Sequence, residues 1–131
     1  MGVLTIYLDR VSNIADEDLL GKTDPYVKFD LEQDNFLKDV DYGYQKSSTK
    51  KDDCNPVFDE TFTFNIPTLD NMVLACAIMD EDPLKDDKCG KCKIKLEHLG
   101  ITSDPMEVEK TFDRNIFTAN GKIHLKLSFT D

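Results

Sequence analysis

Apolar and polar residues alternate with a period of two along most of this chain. At 26–31, "YVKFDL", Val27, Phe29 and Leu31 alternate with Lys28 and Asp30. At 58–66, Phe58, Phe62, Phe64 and Ile66 share one face, and Asp59, Thr61, Thr63 and Asn65 share the other. At 91–99, Ile94 and Leu96 oppose Lys91, Lys93 and Lys95. At 122–129, Ile123, Leu125, Leu127 and Phe129 oppose Lys122, His124, Lys126 and Ser128. Period two is the signature of a strand with one face buried. Residues 3–8, "VLTIYL", are apolar and β-branched, and residues 72–79, "MVLACAIM", are apolar on both faces, as in a central strand. Weaker strand patterns cover 42–48 and 107–113. Turn signals such as Asn55-Pro56, Asp104-Pro105 and Asn120-Gly121 separate the runs. No stretch keeps a helical period over two turns, although single turns of helix fit 69–72 and 96–99.

These runs predict an all-β fold, an eight-stranded antiparallel β-sandwich, as one domain over residues 1–131. A chain of 131 residues suffices for one core. The longest apolar run is far too short to span a bilayer. The opening "MGVLTIYLDR" lacks the basic start of a signal peptide. Gly2 is followed by Ile6 where myristoylation asks for Ser or Thr. The expected setting is cytoplasmic.

Charge narrows the function. The net charge is -10, with 26 acids against 16 Lys and Arg. That disfavours nucleic-acid binding, which needs cations against phosphate. Unaided adhesion to anionic membranes is disfavoured too. Cys54, Cys76, Cys89 and Cys92 are expected to be reduced thiols, with Cys76 in the core. Cys89 and Cys92 have zinc-knuckle spacing, but no second such pair completes four ligands. Ser47, Ser48 and the separated His98 and His124 make no recognisable nucleophile, base and orienting group, so no enzyme is expected.

The acids concentrate in two strand-connecting stretches. "ADEDLLGKTDPYV", 15–27, holds Asp16, Glu17, Asp18 and Asp24; "IMDEDPLKDDKCG", 78–90, holds Asp80, Glu81, Asp82, Asp86 and Asp87. Loops at one end of a sandwich lie together, so these acids can face one cup. Like charges that close repel by about 1 kcal/mol per pair even in water. A hard cation with oxygen ligands suits such a cup, and Ca²⁺ takes six to eight oxygens. Asp80 and Asp82, two apart at a strand end, are placed to reach one ion. Gly21 and Pro25 are expected to shape the first loop, and Gly90 to let the second turn back into a strand. An EF-hand does not fit: a loop begun at Asp16 puts Val27, and one begun at Asp80 puts Lys91, where a bidentate Glu is required.

"DLLGKTDPYVKF", "NPVFDETFTF" and "MDEDPLKDDKCG", in that order, resemble the first calcium loop, a mid-domain strand and the third loop of C2 domains. These are calcium-dependent phospholipid-binding β-sandwich modules of signalling and membrane trafficking. The resemblance covers almost the whole chain. It implies Asp18, Asp24, Asp80, Asp82 and Asp87 as side-chain ligands, with backbone carbonyls of Glu17 and Glu81 as further ones. Four residues separate Asp82 from Asp87 where the family commonly has five, so the last ligand is open between Asp87 and Asp86. The strand order resembles the permuted (type II) variant, in which the edge strand comes last.

Two or three Ca²⁺ would add roughly four to six positive charges and invert the sign of the cup. The chain would then dock on anionic membranes bearing phosphatidylserine or phosphoinositide, as a peripheral protein when calcium rises. Leu19, Leu20 and Leu84, at loop tips, are either ordinary exposed leucines or shallow insertion points worth about 1.5–3 kcal/mol each when fully buried. Lys28, Lys46, Lys50 and Lys51 resemble the family's basic phosphoinositide patch, the alternative being a solubilising strand face. Lys91, Lys93 and Lys95 are expected to form a solvated face. The alternative function is a calcium-independent protein-interaction module on the same scaffold, with a protein partner.

Overall fold

In the computed structural model, residues 1–14, 23–113 and 121–131 are described. The strands are β1 (Gly2–Ser12), β2 (Pro25–Gln33), β3 (Val40–Lys46) and β4 (Val57–Ile66), then β5 (Met72–Asp80), β6 (Asp87–Lys95), β7 (Met106–Thr111) and β8 (Lys122–Thr130). They form two four-stranded antiparallel sheets, ordered β4-β1-β8-β7 and β3-β2-β5-β6. The all-β sandwich predicted from the period-two pattern is therefore the fold.

The core follows from the alternation. Leu4, Ile6 and Leu8 from β1 meet Val27, Phe29 and Leu31 from β2, with Phe62, Phe64, Leu74, Ile78, Ile94, Leu125 and Leu127 around them, all buried. Phe29 of one sheet and Phe62 of the other place their ring centroids 5.3 Å apart at 59°, a tilted contact that pins the sheets together. Cys76 is buried as expected, and Cys89 and Cys92 are buried with it.

Four expectations need correction. The last strand, β8, is no edge; it runs between β1 and β7. Its alternation buries Ile123, Leu125 and Leu127 under partners on both sides. Gly90 is not in a turn but inside β6, where an added Cβ would stand 3.4 Å from Phe112. The two candidate helical turns are hydrogen-bonded turns, closed by Met72 N–H to Leu69 C=O and Leu99 N–H to Leu96 C=O. Finally, strand alternation does not reach Asp82, because β5 ends at Asp80.

Candidate metal and membrane site

The 47–56 loop after β3 and the 81–86 loop after β5 lie at one end of the sandwich, with the described residues 23 and 24 that lead into β2. β2 begins there at Pro25, β5 ends there at Asp80, and β6 begins there at Asp87. Pro25 is the cross-strand partner of Asp80, and Asp80 is the partner of Asp87. Asp80 and Asp87 thus face each other across the neck of the 81–86 loop. Asp24, one residue before β2, is clamped to the same neck. Its N–H donates to Asp80 Oδ1 at 3.0 Å, and its C=O accepts from Glu81 N–H at 3.0 Å. Asp52 N–H donates to Asp24 Oδ1 at 2.8 Å.

Burial pushes the Asp80 carboxyl above the usual carboxylate range, and the charges of Asp24, Asp87 and Asp82 push it the same way; the hydrogen bond from Asp24 pulls against them. So Asp24, Asp82 and Asp87 each lie within electrostatic reach of Asp80, although no three of these carboxylates bring their oxygens within 4.8 Å of one another. Asp82 Oδ1 accepts from Leu84 N–H at 3.0 Å, which shapes the loop tip and leaves Leu84 almost wholly exposed.

Asp86 is engaged differently. Its Oδ2 accepts from the Tyr26 hydroxyl at 2.6 Å and its Oδ1 from Asp82 N–H at 3.1 Å. Those bonds, Tyr26 first, hold its carboxyl below the ordinary range, helped by Lys46. The same bond pushes the Tyr26 hydroxyl up to about 12, with burial adding to it. Asp86 is a strut inside the loop, whereas Asp87 is the acid whose charge bears on Asp80.

The loop at 47–56 is the part that the sequence did not announce. Lys50 N–H bonds Pro25 C=O, Asp53 N–H bonds Thr23 C=O, and Thr49 Oγ1 donates to Glu81 Oε2 at 2.6 Å. Most of its grip is through backbone amides, which carry no residue signature. Asp52, whose amide reaches Asp24, stands in the left-handed region at φ 50°.

The predicted lysines divide. Lys28 and Lys46 are direct cross-strand neighbours, and the same row continues through Ala77 to Lys91. Lys28 Nζ lies 4.5 Å from the Tyr44 ring centroid and Lys46 Nζ 5.6 Å from that of Tyr26. Lys50 and Lys51 instead belong to the 47–56 loop. Asp18, Glu17, Leu19 and Leu20 lie outside the described residues.

Two other groupings arise. Glu32, Asp34 and Asp39, at the opposite end of the sheet, have carboxylate oxygens within 4.8 Å of one another, the only such grouping of three among the described residues. No Cys–Cys–His grouping of that kind joins Cys89 and Cys92 among them. On the other sheet, Ser12 Oγ lies 3.0 Å from His124 Nε2, and His124 Nδ1 lies 3.8 Å from Glu109 Oε1. That is the order of a nucleophile, base and carboxylate, and sequence reading missed it. The last separation exceeds a hydrogen bond, and Glu109 also faces Lys122 at 3.8 Å.

The family model of the C2 domain matches residues 2–113, and the chain belongs to the C2 domain family. It is 35% identical to synaptotagmin-9 of Rattus norvegicus over 105 residues, which is 76% of this chain and 20% of that protein. The chain therefore spans about a fifth of the length of that relative. Among solved structures, a C2 domain of plant extended synaptotagmin 1 superposes with a TM-score of 0.81 at 20% identity, covering 98% of this chain and 94% of that one. A calcium-bound pair of C2 domains from extended synaptotagmin 2 gives 0.71 at 25% identity, covering 98% and 45%. Among the described residues, no helix is long and apolar enough to cross a membrane.

Proposed function

We propose that this C2 domain binds calcium between its Asp-rich loops and then docks, as a peripheral protein of the cytoplasm, on membranes containing anionic phospholipid. The observation that carries the reading is the convergence of Asp24, Asp82 and Asp87 on the half-buried Asp80, where the charges that act on it are all carboxylates. Such a donor set of carboxylates fits a hard divalent ion. Asp18, Asp24, Asp80, Asp82 and Asp87 supply the side-chain oxygens, and carbonyls of Glu17 and Glu81 add to them. Asp87 is preferred to Asp86, because both oxygens of Asp86 already accept hydrogen bonds. Two or three ions bring roughly four to six positive charges, enough to reverse the local sign. The likeness to a calcium-bound relative supports the choice of ion.

Exposed Leu84 stands where a docked surface would meet the loop; Leu19 and Leu20, outside the described residues, are proposed as further insertion points from the sequence alone. Lys28 and Lys46 form the flanking cationic row, with Lys50 and Lys51 nearer the ion-binding end. The domain itself performs no catalysis.

Calorimetry with calcium alone tests the ligand assignment. Saturable binding is expected for the wild type, and the double variant D80N/D82N should lose it while keeping its fold. Equal binding by that variant contradicts the assignment.

A further inference from the structure

The end of the sandwich opposite the Asp80 neck carries a second exposed feature. Residues 34–39 join β2 to β3 there, and their tip presents Phe36 at 99% exposure beside Leu37 at 91%. Scattered exposed apolar residues are ordinary, but two large neighbours almost wholly in water at one tip are not. Val40, at the start of β3, extends the apolar strip.

The tip is built to stay in this shape. Asn35 N–H donates to Asp39 Oδ1 at 3.0 Å, and Asn35 Nδ2 donates to Gln33 Oε1 at 3.1 Å. Its base is tied to the turn between β4 and β5: Asp34 N–H donates to Asn71 C=O at 2.9 Å, and Gln33 Nε2 to Asp70 C=O at 3.0 Å. These bonds hold the backbone so that Phe36 and Leu37 do not fold back onto the sheet.

Around the apolar pair the charge is negative. Glu32, Asp34 and Asp39 hold their carboxylates within 4.8 Å of one another, and Asp41 is the cross-strand partner of Glu32. Glu32's carboxyl is pushed up, first by its hydrogen bond with Asp34, then by burial and by the charges of Asp34 and Asp39. The nearby cations are Lys38 within the segment, Lys93, which pulls the other way on Glu32, and Lys95, which ends the cross-strand row Glu32–Val73–Lys95; four acids, Glu32, Asp34, Asp39 and Asp41, stand against these three. An anionic bilayer is repelled by such a rim; a cationic surface is attracted.

We infer that the Phe36–Leu37 tip with its Glu32, Asp34 and Asp39 rim is a protein-docking surface for a basic amphipathic helical segment. The apolar stripe of that helix covers Phe36, Leu37 and Val40, and its Lys and Arg pair with the three carboxylates. Because the tip and the Asp80 loops are at opposite ends, one domain can hold a membrane and such a partner together. The docking itself requires neither calcium nor lipid.

The test is an amide NMR titration of the full chain in EGTA with a synthetic helical peptide of Leu and Trp on one face and Lys on the other. Shift changes are expected to saturate and to cluster at residues 32–41 and 70–71. F36S/L37S should weaken the peptide at least tenfold, and so should E32Q/D34N/D39N; the spectra of both variants report their folds. A peptide with Glu in place of Lys should not bind. The inference is overturned if the peptide does not bind, if its shift changes fall at residues 80–87, or if F36S/L37S binds it unchanged. It is also overturned if F36S/L37S leaves the peptide unaffected and instead lowers vesicle binding in calcium, which would make the tip a membrane contact. Failure of calcium binding at the other end would leave this result untouched, since no arm of the titration uses calcium.

Discussion

Asp80 sits half-buried among three other carboxylates, and that position makes its charge unfavourable in the cation-free chain. Replacing it with Asn keeps an oxygen for the Asp24 N–H and removes the repulsion. At about 1 kcal/mol for one close pair, D80N should raise the melting temperature in EGTA by roughly 4 °C. In calcium the order should reverse, because the wild type gains the ion and the variant does not; scanning calorimetry in the two buffers reads both. His124 behaves in the opposite sense. Burial, then Arg10, holds its imidazole below the ordinary value, against the pull of Glu109 and Asp9. The unfolded chain therefore takes up that proton first. Stability should fall as pH drops from about 6.5 to the folded value and change no further from this cause below it. H124Q should remove that part of the pH dependence between pH 7 and 5; an identical profile for wild type and variant contradicts the assignment.

Among the strands, the apolar pattern marked all eight, by alternation in four, by apolar runs at 3–8 and 72–79, and more weakly at 42–48 and 107–113; it misled where β-bulges interrupt it. Against β8, Asp9 is an extra residue in β1 between Leu8 and Arg10, and Leu8 and Val11 are both buried. Reading strict alternation ends that strand at residue 8, three residues after which the core is still being filled. Cys89 does the same in β6, where Ile78 pairs with Gly90 and Met79 with Lys88. Cys89 and Cys92 are then both inward, and the strand begins at Asp87 instead of 91. That earlier start brings Asp87 opposite Asp80, a pairing that spacing alone does not reveal. The acids of the site were legible as clusters; the amides of the 47–56 loop that fix Asp24 were not, since any residue offers one. Strand position also sets protection. β1, β8, β2 and β5 are paired on both sides, whereas β7 is a largely exposed edge. Hydrogen exchange should be slowest in those four strands and fastest among strands in β7. Truncating the sheet-to-sheet contact with F29A should cost about 3–5 kcal/mol in urea unfolding, since Phe29 is fully buried against Phe62.

The whole molecule has a net charge of -10, and anionic membranes repel it unless something reverses the sign locally. The four described carboxylates converge at one end, the lysine row of β3, β2 and β6 runs beside them, and Leu84 projects at the tip. The proposed calcium-gated switch at that end would give the acids, the cations and the exposed leucine one common task. The alternative, a calcium-independent protein module, assigns no task to the repulsion at Asp80. Sedimentation of the full chain with phosphatidylserine-containing vesicles, in calcium and in EGTA across a salt series, tests this most directly. The account predicts pelleting in calcium alone, with the part that survives high salt reporting leucine insertion. Equal pelleting in EGTA, or none at millimolar calcium, would contradict it.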